Sequence, residues 1–117
     1  EKAARIWPDT PEAHYNAADI LFQRGLIHPS LRYAEMAAKL RPTFAQAYVL
    51  KVLGHEALRD YKEALRASEE GLSHNPTYFS LLYQRARMLR ATSQFTPAET
   101  AFQLCISAKS RGFDGAN

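Results

Sequence analysis

The chain carries one cysteine and four histidines, the side chains that most often act as nucleophiles, general bases or transition-metal ligands. Cys105 lies in an apolar stretch with Ala101, Phe102 and Ile106, which is typical of a small core residue and not of an activated thiolate. Because no second cysteine is present, an intramolecular disulfide and a cysteine-rich metal site are excluded.

The histidines are too dispersed for a metal site. None of His14, His28, His55 and His74 has another histidine three or four residues away, and no H-E-x-x-H motif occurs. The five glycines are also scattered, so the sequence contains no phosphate-binding loop. We therefore expect no catalytic residues, no metal and no cofactor, and hence a protein that is not an enzyme.

The composition is that of a globular domain. Of the 117 residues, 46% are hydrophobic and 23% are charged, which argues against a disordered chain. The net charge of +3 permits acidic partners but does not demand a nucleic acid. No apolar stretch is long enough to span a bilayer, so no membrane insertion is expected, and the expected location is the cytoplasm.

The sequence is periodic. Pro8, Pro42 and Pro76 follow one another at 34-residue intervals. Other positions keep a size class at the same interval: large apolar at Ile27, Tyr61 and Phe95; small at Ser30, Ala64 and Ala98; small at Ala37, Gly71 and Cys105. Agreement among several positions indicates a repeat architecture.

Each unit has the pattern of two helices. The predicted helices cover residues 11–24, 29–40, 44–58, 61–73, 77–91 and 97–109, and no strand-like alternation occurs. The expected N-terminal caps are Thr10, the capping boxes Thr43/Gln46 and Asp60/Glu63, and Thr96. Gly25 is expected to end the first helix. Because the pattern is helical throughout and no strand-like alternation occurs, the chain is predicted to be all-α. The small residues allow the paired helices to approach each other closely.

These positions resemble the tetratricopeptide repeat family. The matching residues are Ala18, Ser30, Ala37 and Pro42; Tyr48, Tyr61, Ala64, Gly71 and Pro76; and Ala86, Leu89, Phe95, Ala98, Phe102 and Cys105. Lys51 and Arg85 depart from the pattern, since they stand where the family usually has leucine, and His14 replaces an aromatic carbon ring.

The resemblance implies a right-handed α-solenoid of antiparallel helix pairs. The expected organisation is the end of a preceding repeat at 1–8, repeats at 9–42, 43–76 and 77–110, and a frayed tail at 111–117. We expect the chain to be part of a longer array, or to have an end covered by another molecule. Phe102, Leu104 and Ile106 are candidates for that covered surface; alternatively, Phe102 and Ile106 lie in the core of their own repeat.

The resemblance also implies a concave groove lined by the first helix of each repeat. The residues carried over to it are Tyr15, Asn16, Asp19 and Phe22, with Glu12 and Gln23; Gln46, Val49, Leu50, Leu53 and Glu56, with Ala57; and Tyr83, Gln84, Arg87 and Arg90, with Ser80 and Ala91.

The groove hypothesis is a protein-interaction scaffold that binds a peptide segment. Apolar side chains of the peptide are expected to contact Val49, Leu50 and Leu53, and an acidic group to meet Arg87 and Arg90. Asn16 and Gln84 are expected to bond its backbone. In the alternative, the three apolar residues contact a neighbouring repeat and the arginines form a solvated face.

The sequence bears on three further modes of binding: a carboxylate clamp, self-association and nucleic-acid binding. Chaperone-binding members of the family clamp a C-terminal carboxylate of Hsp70 or Hsp90, but this chain has Tyr15, Asp19, Leu50, Ser80 and Gln84 at the clamp positions, so that mode is disfavoured. Self-association through the groove or the open ends is the alternative function. Nucleic-acid binding through Arg85, Arg87, Arg90 and Arg111 with Tyr83 is the weakest hypothesis, because phosphate binding needs a broader basic stripe.

Overall fold

The computed structural model describes residues 10–110 of the chain. The predictions for the preceding helix end at 1–8, for the tail at 111–117 and for Arg111 lie outside the described residues. Within residues 10–110 the chain forms six α-helices and no strand: α1 Pro11–Gln23, α2 Ile27–Leu40, α3 Ala45–Ala57, α4 Tyr61–His74, α5 Phe79–Ala91 and α6 Phe95–Ser110. The prediction of an all-α helical solenoid is confirmed.

The start of α1 is as the sequence predicts. The hydroxyl of Thr10 accepts a hydrogen bond from the backbone N–H of Ala13 at 3.2 Å, and Pro11 occupies the first turn. This cap satisfies one of the N–H groups that the first turn of a helix leaves without an intrahelical partner.

Asp60 is the N-cap of α4 as predicted but makes no side-chain capping bond, and the cap positions predicted at Thr43 and Thr96 are wrong. The N-cap of α3 is Phe44 rather than Thr43, and neither Phe44 nor Asp60 accepts a side-chain capping bond. Helix α6 begins at Phe95, so Thr96 lies inside its first turn. The reason is visible at Phe44, whose ring packs 5.4 Å from that of Tyr15: an aromatic contact with the core takes the place of a polar cap.

The turn inside each repeat has the same geometry. Gly25, Arg59 and Ser93 stand one repeat apart and all have positive φ, at 81°, 62° and 64°. In the first turn the N–H of Gly25 donates to the carbonyl of Phe22 at 3.0 Å, and the N–H of Leu26 to that of Leu21 at 2.9 Å. The second and third turns repeat both bonds. This is a Schellman motif, which closes the C-terminus of a helix and suits glycine best.

The turns between repeats depend on the prolines. In each turn, the carbonyl of the residue before proline accepts a hydrogen bond from the backbone N–H of the second residue after proline. The N–H of Phe44 donates to the carbonyl of Arg41 at 2.9 Å, and that of Tyr78 donates to the carbonyl of Asn75 at 3.2 Å. The side-chain amide of Asn75 also donates to the carbonyl of Thr43 at 3.1 Å, which ties one turn to the next. The proline period therefore marks the junctions at which one repeat stacks on another.

Small residues allow these stacks to be tight. A Cβ atom added at Gly71 of α4 would lie 2.7 Å from the Cβ of Tyr48 and 2.8 Å from a methyl group of Leu81. One added at Gly54 of α3 would lie 2.6 Å from a methyl group of Leu31. Glycine is required at Gly71 because the Tyr48 Cβ that it faces is fixed to the backbone of α3.

The cations that replace the family's leucine are accommodated by acids on α4. The ammonium group of Lys51 lies 3.7 Å from Glu70 and 5.6 Å from the centre of the Tyr48 ring. The guanidinium of Arg85 lies 3.4 Å from Glu69. Lys51 and Arg85 thus connect α3 to α4 and α4 to α5 through ion pairs, where leucine would make an apolar contact.

The outer face of α6 is partly apolar. Phe102 packs against the core formed by Ala86, Leu89 and Ala98, as one of the two sequence interpretations held. Ile106 is 60% exposed, so its placement in the core of the repeat is wrong. The equivalent residue Ala38 is buried by the helix of the next repeat, which explains why the sequence pattern misleads at Ile106.

We expect Ser93→Gly to raise the free energy of unfolding by about 1 kcal/mol, because glycine adopts the left-handed backbone of this turn without the steric cost of a Cβ atom. The matched control is Gly25→Ser, the reverse exchange in the first repeat, where a Cβ atom would meet no neighbour within 4 Å. It is expected to lower stability by a similar amount. Urea denaturation of both variants checks this, and equal stabilities for Ser93→Gly and the wild type would contradict it.

Candidate functional site

A concavity of about 530 Å³ lies between α1 and α3 and is closed at one side by the start of α5. It forms there because the first helices of neighbouring repeats contact one another directly. The residues that line it are Tyr15, Asp19, Phe22, Gln23, Gln46, Val49, Leu50, Leu53, Tyr78 and Ser80. All but Tyr78 are residues that the resemblance assigns to the groove.

Helical spacing brings these side chains to one face. On α1, Tyr15, Asp19 and Phe22 are four and three residues apart, so they follow one stripe of the helix. On α3, Gln46 and Leu53 are seven residues apart with Val49 between them. The two stripes face each other across the concavity, which therefore has an aromatic wall and an aliphatic wall.

Leu50 differs from the expectation of an exposed apolar triplet. Its side chain is 5% exposed and packs against Ala18 and Ala34. It is a core residue at the floor of the concavity, so its exposure to a ligand was predicted wrongly. Val49 and Leu53 are partly exposed, and they are the apolar groups of α3 that a ligand can contact.

Tyr78 was missed by the sequence analysis. It is the N-cap of α5 and packs partly against the core beside Val49. The signal was present, since Tyr78 stands one repeat after Phe44 and both are aromatic residues that follow a Pro-Thr pair. The repeat frame assigned groove positions only inside the first helices, and Tyr78 lies just before one.

Asp19 is the one charged side chain among the residues that line the concavity. Its carboxylate accepts a hydrogen bond from the amide of Gln23 at 3.2 Å. Burial raises the pKa of the Tyr15 hydroxyl, and the nearby Asp19 carboxylate and Tyr78 hydroxyl raise it further. Tyr15 therefore stays neutral at physiological pH and offers a hydroxyl rather than a charge.

The predicted basic wall is engaged in bonds within the chain. Arg87 on α5 forms a two-point ion pair with Glu56 on α3, and it also donates to the side-chain oxygen of Gln84 at 2.6 Å. The side chains of Arg87 and Glu56 are only 26% and 27% exposed, so the pair is partly shielded from water. Both are predicted groove residues, but their pairing does not follow from the sequence pattern.

The remaining predicted residues lie beside the concavity. The ring of Tyr83 stacks on Phe79 at 6.4 Å and meets the edge of Phe102 at 6.1 Å. The guanidinium of Arg90 lies 5.9 Å from the centre of the Phe102 ring. Asn16 is exposed on α1. The walls of the concavity do not include Tyr83, Gln84, Arg87, Arg90, Glu56 and Asn16.

A second concavity of about 770 Å³ lies at the turns between repeats. Two of its lining residues, Glu12 and Arg41, form an ion pair with a distance of 2.6 Å between the charged atoms. The hydrogen bond from Arg41 holds the pKa of the Glu12 carboxyl below its usual range. These charges neutralise each other, so the turn side offers a ligand less electrostatic attraction than the groove does.

The other reactive groups are not assembled into a site. Cys105 is buried, which raises the pKa of its thiol and keeps it in the neutral form. Among residues 10–110, no three of the His, Cys, Asp and Glu side chains are grouped so that they could hold a metal ion. None of the described helices is long and apolar enough to cross a bilayer.

Paired helices at a fixed period, with the first helix of each pair lining a concavity, give residues 10–110 the architecture of a tetratricopeptide-type repeat array. Arrays of this type are in general non-enzymatic modules for protein–protein interaction.

Comparisons with known proteins agree with this class. No protein-family model matches the chain. A curated relative, Hsp70-Hsp90 organizing protein 2 of Arabidopsis thaliana, is 31% identical over 75 residues, which are 64% of this chain and 13% of the plant protein. The chain thus corresponds to a small part of that relative.

Two crystal structures of MamA have the same fold. They superpose with TM-scores of 0.80 and 0.84 at 16% identity, and the matches cover 88% and 89% of this chain. They cover 56% and 61% of the MamA chains. At this identity the likeness is one of fold alone.

We expect the Glu56–Arg87 pair to contribute a coupling free energy of about 1 kcal/mol, the upper end for pairs that water reaches. A double-mutant cycle with Glu56→Gln and Arg87→Met, followed by urea denaturation, measures it. The control cycle uses the Glu63–Arg66 pair, in which Arg66 is 76% exposed and the charged atoms are 3.6 Å apart. Its coupling is expected to be less than half as large, and equal couplings would contradict the assignment.

Proposed function

We propose that this chain is a non-enzymatic scaffold whose groove binds a peptide segment of a partner protein. The observation that carries the proposal is the concavity between α1 and α3, which the two stripes of side chains line from opposite sides. Its volume of about 530 Å³ is within the range of about 300–1,000 Å³ that is usual for binding pockets.

The walls suit a peptide more than a wholly apolar ligand. Phe22, Val49 and Leu53 offer partly exposed apolar surface for the side chains of a bound segment. Gln46 and Ser80, which line the same concavity, offer donors and acceptors for the backbone of the segment. Alternation of apolar and polar groups in one groove is the usual means of recognising an extended or helical segment.

An acidic group on the ligand is not part of the proposal. The sequence placed one at Arg87 and Arg90, but Glu56 already neutralises Arg87. An acidic ligand would have to displace Glu56 and leave that carboxylate without its partner, at a cost that offsets the new contact.

The likeness to an Hsp70-Hsp90 organizing protein does not make a carboxylate clamp a good model for this groove. At the clamp positions, Asp19 would repel a C-terminal carboxylate and Leu50 is buried in the core. Nucleic-acid binding through the third repeat is likewise poorly supported, because Glu69 and Glu56 neutralise Arg85 and Arg87.

We expect Leu53→Glu to weaken the binding of groove ligands by about tenfold or more, because it introduces a charge into the apolar wall. The probe is a random peptide library displayed on phage and selected against the wild-type chain, with selected peptides then measured by fluorescence anisotropy. The matched control is Ile20→Glu, since Ile20 is 52% exposed on α1 and does not line the concavity. Circular dichroism should show the same helicity in both variants.

The proposal is contradicted if selection yields no peptide, or if the selected peptides bind Leu53→Glu as tightly as the wild type. Equal losses in Leu53→Glu and Ile20→Glu would place binding outside the groove.

Self-association is a second candidate function, favoured by the outer face of α6. Leu104 and Ile106 are 48% and 60% exposed there, whereas Ala38, the equivalent of Ile106 in the first repeat, is buried by the next repeat. A second copy of this chain that stacks on α6 would cover the same position.

If this face mediates self-association, Ile106→Lys should remove any concentration-dependent rise in sedimentation coefficient, because a desolvated lysine opposes stacking. Sedimentation velocity over a wide concentration range measures it, with Ile20→Lys as the control on an exposed isoleucine of α1. A wild-type chain that sediments as a monomer at every concentration would exclude this function.

A further inference from the structure

We infer that the groove selects peptide segments that carry a lysine or arginine, and that the carboxylate of Asp19 anchors this basic side chain. The inference rests on the proposed function and names the chemistry of its ligand. It reverses the sign of the charge that the sequence alone led us to expect on the partner.

The first step is the charge balance of the walls. Asp19 is the charged member among the residues that line the concavity, so a ligand inside it meets a net negative charge. Within residues 10–110, the side chain that hydrogen-bonds Asp19 is the neutral amide of Gln23 at 3.2 Å. No cation is among the residues that line the concavity, and none of the salt bridges found within residues 10–110 involves Asp19, so a basic group on a ligand can approach the carboxylate.

The second step is a comparison with the other acids near the groove. Glu56 is held by Arg87, and Glu12 is held by Arg41. The guanidinium partner of Glu56 comes from the next repeat, and that of Glu12 comes from the end of its own repeat. Asp19 differs from Glu12 and Glu56 because a cationic partner for its carboxylate would have to come from another molecule.

The third step is the surface around the carboxylate. Tyr15, Phe22 and Tyr78 line the same concavity, so the aliphatic stem of a lysine or arginine would lie against aromatic rings. Burial raises the pKa of the Tyr15 hydroxyl, which stays uncharged and can donate to or accept from the ligand. Tyr15, Asp19 and Phe22 are half-buried, so an ion pair formed beside them is less screened by water than one on an open surface.

The fourth step is the match to the apolar wall. Val49 and Leu53 face the aromatic stripe from α3, so a basic residue bound at Asp19 places its neighbours along an aliphatic surface. The ligand chemistry that fits both walls is a segment with one basic side chain next to apolar ones.

The experiment compares Asp19→Asn with the wild type in the same phage selection. Asparagine keeps an acceptor for the Gln23 amide, so the fold of α1 is expected to be unchanged. The control is Glu35→Gln, which makes the same change in net charge at an exposed position of α2. Circular dichroism and thermal melting confirm that all three chains are folded.

We expect the wild-type chain to enrich peptides with lysine or arginine at one position. Replacement of that residue by glutamine in a selected peptide should weaken binding to the wild type by about tenfold, and the same replacement should have little effect on binding to Asp19→Asn. Glu35→Gln should behave as the wild type. Asp19→Lys should enrich acidic peptides instead.

Two outcomes separate this inference from the proposed function. If the selected peptides lack an enriched basic residue and bind Asp19→Asn as tightly as the wild type, but lose affinity for Leu53→Asn, which removes apolar surface without adding a charge, the groove binds peptides and the inference is overturned. If Leu53→Asn also leaves binding unchanged, or no peptide is selected, both are overturned.

Discussion

The close approach of α4 to α3 and α5 at Gly71 is the constraint on which the rest of the fold depends. A Cβ atom at this position would lie within 3 Å of both Tyr48 and Leu81, so the spacing between the second and third repeats is set by the absence of one carbon atom. Tyr48 is 2% exposed and belongs to the core that joins the first two repeats. Tyr48 therefore takes part in the packing at both junctions. The first helices of the first two repeats contact each other directly and enclose the concavity between them.

The fold could be predicted from the sequence because its determinants are local and recur at one interval. The prolines lie in the turns between repeats, the small residues lie where helices meet, and the helices follow the apolar pattern to within two residues in most cases. The caps failed because their choice depends on tertiary contacts: at Phe44, packing against Tyr15 outweighs a polar cap, and only the folded chain shows that contact.

The site was predictable in its position but not in its electrostatics. Helical spacing was enough to place Tyr15, Asp19 and Leu53 on the groove side. Which charges stay available depends on distances between helices, and these are absent from the sequence pattern. Glu56 and Arg87 are 31 residues apart, and their pairing engages the guanidinium that the sequence pattern offers to an acidic ligand. The exposure of Leu50 was predicted wrongly for a related reason. Neighbouring positions on one face of α3 differ in burial: Leu50 is buried in the core, whereas Val49 and Leu53 are partly exposed.

The three left-handed turns have a consequence for how such an array can change. In a stack in which each repeat contacts only its neighbours, the free energy of an individual repeat is largely a local property. Glycine occupies the strained turn position in the first repeat, whereas Arg59 and Ser93 occupy it in the others. The concavity is built mostly from the first two repeats. Substitutions in the turn of the third repeat can therefore change the stability of that repeat while the residues that line the concavity stay the same.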